Sequence, residues 1–377
     1  MTNQDQQEQS NPANEAESAA GEQKLIEDRL AKTAQIRAKG LDPYPPRYDR
    51  THTLVEATKL FEYAEIMASS GVGDDVEHPR TETVRIAGRV MARRGMGKAA
   101  FIDLKDGHGS IQAFARQNTM GDDAYEIVNL LDIGDIIGVE GSVIRTRRGE
   151  VSVEVQQVTV LTKAMRPLPD KWHGLQDQEI RFRQRYLDLI SNENAMKNAL
   201  LRSSVVKAMR DFMHGEGFIE VETPILVPVA AGAQATPFET HHNQLDRDLY
   251  LRIATELYLK KLIVGGIERV FEIGRLFRNE GLDHDHNPEF TTIESYQAYA
   301  DYNDVMAMVE NMVSFIAKET TGSMVLPAIE GVRPEIDLTP PWPRLDLREE
   351  IVKQTGIDFV EVRDAELLSD AMRDRGI

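Results

Sequence analysis

The sequence predicts an α+β protein, with a small five-stranded β-barrel followed by a larger domain in which strands and helices alternate. Between Val84 and Thr162, short β-branched runs are separated by turn signals. After Asn194, apolar stripes with helical spacing alternate with strand-like runs. A chain of 377 residues is long enough for two or three domains with separate cores.

The N-terminal part contains no strand signal. Residues 1–22 have five acidic residues, no basic residue, and no Leu, Ile, Val or aromatic residue. Such a segment cannot offset its ordering entropy by burial, so we predict a disordered acidic tail. From Gln23 to about Lys39 the apolar spacing predicts one exposed helix, and the proline-rich residues 41–48 predict an extended stretch. We assign residues 23–70 to an N-terminal helical segment.

Five strand-like runs predict the barrel. They cover residues 84–94, 99–106, 109–117, 136–148 and 150–161, and a helical pattern from Asp123 to Leu131 lies between the third and fourth. This order is typical of an OB-fold, which we place at residues 71–165. The GMGK turn at 95–98 does not satisfy the phosphate-binding pattern GxxxxGK[ST].

A linker at residues 166–192 and a second domain at 193–377 complete the predicted organisation. A helix is predicted from Asn194 to His214, because Leu201, Val205, Met209, Phe212 and Met213 form one apolar stripe. The segments 346–356 and 365–377 also predict helices, with Gly356 as a C-terminal cap. No segment follows to close a domain, so we expect the chain to stop in mid-fold.

Charge and composition restrict the class of function. The formal charge of −18 disfavours a protein whose whole surface binds nucleic acid, but residues 84–116 carry a net charge of +5. The sequence has no apolar run of the ~20 residues that a membrane span needs. It also has no signal-peptide pattern and no cysteine, which excludes disulfides and thiolate metal sites. We therefore expect a cytoplasmic protein.

Residues 277–290, FRNEGLDHDHNPEF, resemble motif 2 of the class II aminoacyl-tRNA synthetases. The helix from Asn194 and the strand that ends at Pro224 resemble motif 1, the dimer-forming element. The stretches 162–191, 240–266 and 268–281 look like the lysyl enzymes, so the resemblance covers about residues 25–377. It implies a class II antiparallel-sheet catalytic domain, ATP and Mg²⁺ as cofactors, L-lysine and tRNA(Lys) as partners, and a homodimer. The glycine-rich motif 3 and the family's metal ligands have no match in the sequence, so the resemblance also implies an incomplete catalytic domain.

The resemblance implies three groups of site residues. Arg278 is the catalytic residue, because its planar guanidinium can bind phosphate and spread the charge that develops in the transition state. The matched positions are Arg278, Glu280, His286, Asn287 and Phe290 for ATP; Gly232, Glu256, Glu294 and Tyr296 for lysine; and Phe101, Gln112, Arg93, Arg94 and Lys98 for the tRNA anticodon.

Lysine carries two ammonium groups, so its pocket should be acidic. Glu294 and Tyr296 fit such a pocket because they share one face of the strand 291–297.

Ordinary structural roles remain open for several of these residues. Arg278 and Glu280 could form an exposed ion pair, Glu294 could be a solvated strand residue, and Phe101 could fill the barrel. The histidines at 241, 242 and 286 lack the spaced ligands of a metal site. Two other functions also remain open: a catalytically inactive module that binds anticodon RNA, and a protein-modifying lysyl ligase, which the barrel disfavours.

Overall fold

The computed structural model describes residues 12–70, 79–169, 175, 177–283 and 285–377, with side chains from Ala20 onward except that of Met96. The chain divides into two compact units, Met1–Glu193 and Asn194–Ile377. In the described ranges, no helix combines the length and apolar character that a membrane span requires.

The first unit contains five strands and six described helices. In chain order they are α1 (Pro12–Ala38), α2 (Leu54–Ser69), β1 (Arg80–Met96), β2 (Ala99–Lys105), β3 (Ser110–Arg116), α3 (Gln117–Met120), α4 (Asp122–Asn129), β4 (Ile136–Arg145), β5 (Val151–Thr162), α5 (Gln178–Arg183) and α6 (Arg185–Ser191).

The five strands form a closed barrel in the order β1-β2-β3-β5-β4, with β3 and β5 parallel and the other pairs antiparallel. The barrel forms because alternate side chains are apolar, as in β2, where Ala100, Ile102 and Leu104 are fully buried. The five predicted strands and the helix between the third and fourth are confirmed. The barrel interior is the main core of this unit.

The N-terminal helices belong to the same core. Phe61 and Leu54 of α2 and Ile36 of α1 are fully buried in the cluster that fills the barrel. A capping box of Thr53 and Glu56 starts α2. The prediction that the helix after Gln23 is simply exposed is therefore wrong at Ile36, because the barrel covers this face.

The helix α1 begins at Pro12, before the predicted start at Gln23. Residues 12–22 were part of the predicted disordered tail, and the structure makes them helical. Their alanines and glutamates have high intrinsic helix propensity, which needs no buried apolar partner. The remaining part of that prediction, residues 1–11, lies outside the described residues.

A buried ionic cluster joins α1 to the end of the barrel. The ammonium group of Lys163 is fully buried and lies 2.6 Å from Asp135 and 2.8 Å from Asp132. Asp132 also pairs with Lys32 of α1. Arg29 of α1 donates hydrogen bonds to three backbone carbonyls, including that of Ala164 at 2.7 Å. Because each buried charge has a partner, the cluster can exist inside the protein.

Two short helices, α5 and α6, occupy part of the range that the sequence predicts as a linker. Asp177 caps α5 through its side chain. Asp188 is buried and accepts hydrogen bonds from Arg181 at 2.9 Å and Arg185 at 2.6 Å. The Arg181–Asp188 pair joins α5 to α6, and the Arg185–Asp188 pair lies within α6.

The second unit contains eight described strands and five helices. In chain order they are α7 (Glu193–Gly215), which starts at the boundary between the units, β6 (Ile219–Glu220), β7 (Leu226–Val227), β8 (Glu239–His242), β9 (Arg247–Leu251), α8 (Glu256–Val264), β10 (Arg269–Phe277), β11 (Glu289–Gln297), α9 (Tyr302–Thr321), β12 (Val325–Leu326), β13 (Ile336–Asp337), α10 (Leu347–Thr355) and α11 (Ala365–Arg373).

The central sheet of this unit has the order β11-β10-β6, and β10 and β11 form an antiparallel hairpin of nine residue pairs. Met213 of α7 and Met312 of α9 pack with Phe271 in the core of the unit. The C-terminal part of the predicted stripe on α7 is thus buried, whereas Leu201 is 43% exposed. The two final helices are confirmed, and Gly356 ends α10 in the left-handed conformation.

Candidate active site and nucleic-acid interface

One face of the β10–β11 hairpin carries the candidate active-site residues. Side chains alternate along a strand, so Phe290, Thr292, Glu294 and Tyr296 of β11 point to the same side. Phe271, from the opposite face, is in the core with α7 and α9. At ~3.3 Å per residue, Phe290 and Tyr296 are about 20 Å apart along the strand, which is long enough for two joined subsites.

Arg278 lies at one end of this face. Its backbone N–H donates to the carbonyl of Pro288 at 2.9 Å, which closes the hairpin. Its guanidinium carbon lies 5.2 Å from the centroid of the Phe290 ring. The Nε atom is buried and has no hydrogen-bond partner within the described residues. A buried, unpaired cationic donor favours an anion as its partner.

Glu280, His286 and Asn287 lie in the loop between β10 and β11 and are exposed. His286 lies 2.8 Å from the carboxylate of Asp283. The backbone N–H of Asp285 and the imidazole of His286 lower the pKa of Asp283. Arg278 and Glu280 do not form the exposed ion pair that the sequence left open, because Arg278 has no ion pair among the described residues.

A cluster of carboxylates lies at the other end of the face. Glu294 accepts a hydrogen bond from the backbone N–H of Thr255 at 3.2 Å, at the N-terminus of α8. Glu256, the next residue, lies 2.5 Å from the ammonium of Lys260. Lys260 also lies 5.6 Å from the ring centroid of Tyr296. Burial and the charge of Glu256 raise the pKa of Tyr296, so its hydroxyl remains protonated at neutral pH.

Gly232 packs directly against this cluster. A Cβ atom at this position would lie 2.9 Å from the Cβ of Ala254 and 3.0 Å from the Cβ of Glu256. The backbone of Gly232 also has φ +93°, a conformation that L side chains rarely adopt. The structure therefore brings Gly232, Glu256, Glu294 and Tyr296 together, although they come from three separate segments.

A buried ion pair that the sequence patterns did not reveal supports the hairpin. Arg252 lies 2.5 Å from Glu272, and both side chains are 4% exposed. The hydroxyl of Thr223 donates to the other oxygen of Glu272 at 2.6 Å. A Cβ on Gly274 would lie 2.3 Å from Nη2 of Arg252. A glycine inside a strand can indicate such a close approach, so Gly274 was the sequence signal for this contact.

Pro224 lines a cavity of about 450 Å³ with Tyr258, Lys261 and Leu262. Several apolar side chains nearby in sequence are exposed: Ile219, Ile225, Leu226 and Val229. Within the described residues, no group of three His, Asp or Glu side chains is arranged to hold a metal ion.

On the barrel, Phe101 lies on the outer face of β2 and stacks on Phe114 of β3. The ring centroids are 4.4 Å apart and the planes differ by 4°. The guanidinium of Arg116 lies 5.1 Å from the Phe114 ring. Phe101 is only half-buried, whereas its neighbours Ala100 and Ile102 fill the interior. Phe101 therefore does not fill the barrel, which was the alternative role left open for it.

Gln112 is buried, and both ends of its amide are bonded. Its nitrogen donates to Glu150 at 2.8 Å, and its oxygen accepts from the hydroxyl of Ser152 at 3.0 Å. Arg94 pairs with Asp103 at 2.8 Å, and Arg93 donates to Asn129 at 3.0 Å. Lys98 is exposed in the turn between β1 and β2. The sequence patterns did not identify Phe114, Glu150 or Arg116 as site residues. Phe114 could have been found, because Phe101 and Phe114 lie on two consecutive predicted strands.

Comparisons with known proteins give two family matches. Residues 177–369 match the family described as tRNA synthetases class II (D, K and N). Residues 84–161 match the family described as OB-fold nucleic acid binding domain.

Many curated proteins are similar to this chain. A lysine–tRNA ligase of Dehalococcoides mccartyi is 50% identical over 351 residues, which cover 93% of this chain and 68% of the relative. Lysine–tRNA ligases of Pelotomaculum thermopropionicum and Clostridium botulinum are 48% and 45% identical, each over 94% of this chain and 66% of the relative. The chain therefore spans about two thirds of the length of these relatives.

Proposed function

Because this chain belongs to the lysine–tRNA ligases of class II, we propose that it activates L-lysine with ATP to lysyl-adenylate and transfers the lysyl group to tRNA(Lys). The observation that carries the proposal is the hairpin face. At one end lies a buried guanidinium donor that has no hydrogen-bond partner in the described part of the chain, and the carboxylates of Glu256 and Glu294 lie at the other. This arrangement suits one substrate rich in negative charge beside another that is cationic.

Adenylate formation explains the place of Arg278. An oxygen of the lysine carboxylate attacks the α-phosphorus of ATP, and the bond to the bridging oxygen breaks, which releases pyrophosphate. Two anions must approach each other, so a fixed cation between them lowers the barrier. Arg278 supplies that cation, and Phe290 beneath it offers an aromatic face for the adenine ring. Glu280, His286 and Asn287 complete the proposed ATP site from the loop.

The opposite end selects the amino acid. Each ammonium group of lysine must lose water on binding, so it needs carboxylate or hydroxyl partners. Glu256 and Glu294 supply carboxylates, Tyr296 supplies a protonated hydroxyl, and the backbone of Gly232 borders the pocket. In the second step, a ribose hydroxyl of the tRNA attacks the lysyl carbonyl carbon and AMP leaves.

The family uses Mg²⁺, whose charge offsets that of the ATP phosphates. The described residues offer no group of three His, Asp or Glu side chains that could hold this ion by themselves.

The barrel is the proposed anticodon-binding domain. Phe101 offers a ring on which an unpaired base can stack, as OB-folds commonly bind single strands. Gln112 supplies an amide to the base edge, and Arg93, Arg94 and Lys98 supply positive charge for phosphates. Binding there exchanges the present partners of Gln112 and Arg94 for RNA groups.

We also propose a homodimer and a cytoplasmic location. Ile219, Ile225, Leu226 and Val229 are exposed apolar side chains close to Pro224 in the sequence, and a second copy would cover them. Sedimentation of the chain and of Ile225→Glu tests the dimer: the variant should sediment as a monomer. If the unsubstituted chain also sediments as a monomer, the dimer proposal is contradicted.

Lysine-dependent exchange of pyrophosphate into ATP tests the catalytic proposal. The expected result is exchange with L-lysine and none with L-arginine or without an amino acid. The barrel, which has its own core, supports a second candidate: a module that binds anticodon RNA without catalysis. RNA binding without exchange would favour that module for this chain.

A further inference from the structure

Thr255 is a buried residue whose hydroxyl group has no hydrogen-bond partner among the described residues. The residue is 2% exposed, and its Oγ1 atom is buried. Buried hydroxyl groups in proteins nearly always have a partner, because an unpaired one loses its contact with water and gains nothing in return. Such an exception calls for a ligand or a structural explanation.

The obvious structural explanation does not apply. Thr255 holds the N-terminal cap position of α8, where a threonine side chain usually accepts a hydrogen bond from the first helical turn. Here the side chain makes no such bond. The cap of α8 therefore does not use the hydroxyl.

The surroundings of Thr255 are those of the proposed lysine pocket. Its backbone N–H donates to Glu294 at 3.2 Å, and Glu256 is the next residue in the chain. The residues on both sides of Thr255, Ala254 and Glu256, are the ones that approach Gly232. Thr255 thus lies between the residues to which we assign amino-acid binding.

We propose that the hydroxyl group of Thr255 is a further ligand of the amino-acid substrate and accepts a hydrogen bond from one of its ammonium groups. An ammonium group has three donors, and a hydroxyl oxygen has lone pairs that can accept one of them. Glu256 already accepts a hydrogen bond from Lys260, so a further acceptor would help to satisfy the donors of the substrate's ammonium group. This inference deepens the proposed function and rests on it.

Two substitutions separate the hydroxyl from the shape of the side chain. Thr255→Val keeps the shape and removes the hydroxyl, and Thr255→Ser keeps the hydroxyl. The affinity of the 377-residue chain for L-lysine is measured by titration calorimetry, with ATP as the second ligand. We expect Thr255→Val to weaken lysine binding about 5- to 30-fold and Thr255→Ser to stay within about twofold. ATP binding and the unfolding temperature should not fall in either variant.

Three results would overturn the inference while the proposed function stands. They are lysine binding by Thr255→Val equal to that of the unsubstituted chain, an equal loss in Thr255→Ser, and a parallel loss of ATP affinity in Thr255→Val, which would make the residue structural. If the unsubstituted chain binds ATP but not L-lysine, the proposed function fails and the inference fails with it.

Discussion

The rings of Phe101 and Phe114 stack in parallel across neighbouring strands, with centroids 4.4 Å apart, on the outside of a barrel whose interior is already full. A base placed on Phe101 would continue the stack. We therefore expect Phe101→Ala to weaken binding of an anticodon stem-loop by about 1–3 kcal/mol, or roughly 5- to 150-fold. Fluorescence anisotropy measures the affinity. Phe101→Tyr, which keeps the ring, serves as the control, and equal affinity of all three chains would remove Phe101 from the interface.

Arg278→Ala should remove lysine-dependent pyrophosphate exchange, with a loss of at least about 100-fold, because it deletes the planar cation that we assign to the transition state. The nearby Arg275 already pairs with Glu289. Arg278→Lys should be intermediate, since it keeps the charge but not the bidentate geometry. Affinity for the anticodon stem-loop should be unchanged in both variants. An equal loss of exchange and of RNA binding would contradict the assignment of the two activities to separate units.

Gly232→Ala should weaken L-lysine binding about tenfold or more. The added Cβ would lie 2.9 Å from Ala254 and 3.0 Å from Glu256, so one of these residues must move. The positive φ adds strain of about 1–3 kcal/mol. Gly281→Ala is the matched control, because its Cβ would meet nothing within 4 Å. Titration calorimetry with L-lysine checks the expectation, and an unaltered affinity would place Gly232 outside the pocket.

Glu272→Gln should lower the free energy of unfolding by about 3–5 kcal/mol, because the substitution leaves the buried charge of Arg252 without its counter-charge. The double variant Arg252→Met with Glu272→Met should recover much of that loss, since it removes both charges. Urea unfolding of the three chains measures the difference. A double variant as unstable as the single one would show that hydrogen bonds to Thr223, not charge, hold this part of the hairpin.

Asp132→Asn should destabilise the first unit at neutral pH by about 2 kcal/mol. Burial raises the pKa of Asp132, but hydrogen bonds from Lys163 and Lys32 lower it more, so the folded-state pKa lies below the ordinary 3.8. The contribution of the ionised carboxylate is therefore fully present above pH 3.8 and is lost as pH falls through the lower folded-state value. Unfolding from pH 7 to pH 2 should show the two chains converging only in acid. A constant difference would exclude this carboxylate as the cause.

The strands of the barrel and the shared face of Glu294 and Tyr296 follow from alternation along the chain, and the structure has both. The burial of α2 and of Ile36 against the barrel could not be predicted from the sequence, because an apolar stripe on a helix does not identify the surface that will cover it. Helix α1 starts earlier than the apolar pattern predicts, because alanine and glutamate favour a helix without any buried apolar partner.

The pairing of Arg252 with Glu272 and the approach of Gly232 to Glu256 join residues 20 or more positions apart. No local period encodes such contacts, and they depend on how β9, α8 and the hairpin pack. The resemblance to a known family supplied the identities of Gly232 and Glu256, while the physical reason for a glycine there became visible only from the Cβ distances. Thr255 had no signal in the sequence at all.

Because the ammonium group of Lys163 is fully buried, its chemical reactivity can report local unfolding of the protein. An amine-reactive reagent can modify surface lysines such as Lys98 in the native protein, but the ammonium of Lys163 has no exposed surface. It should become reactive only when the end of β5, the Asp132 loop and α1 separate. Mass spectrometry can measure the rate at which Lys163 is modified. That rate would give the rate of local unfolding at this end of the barrel, without a dye or an engineered label.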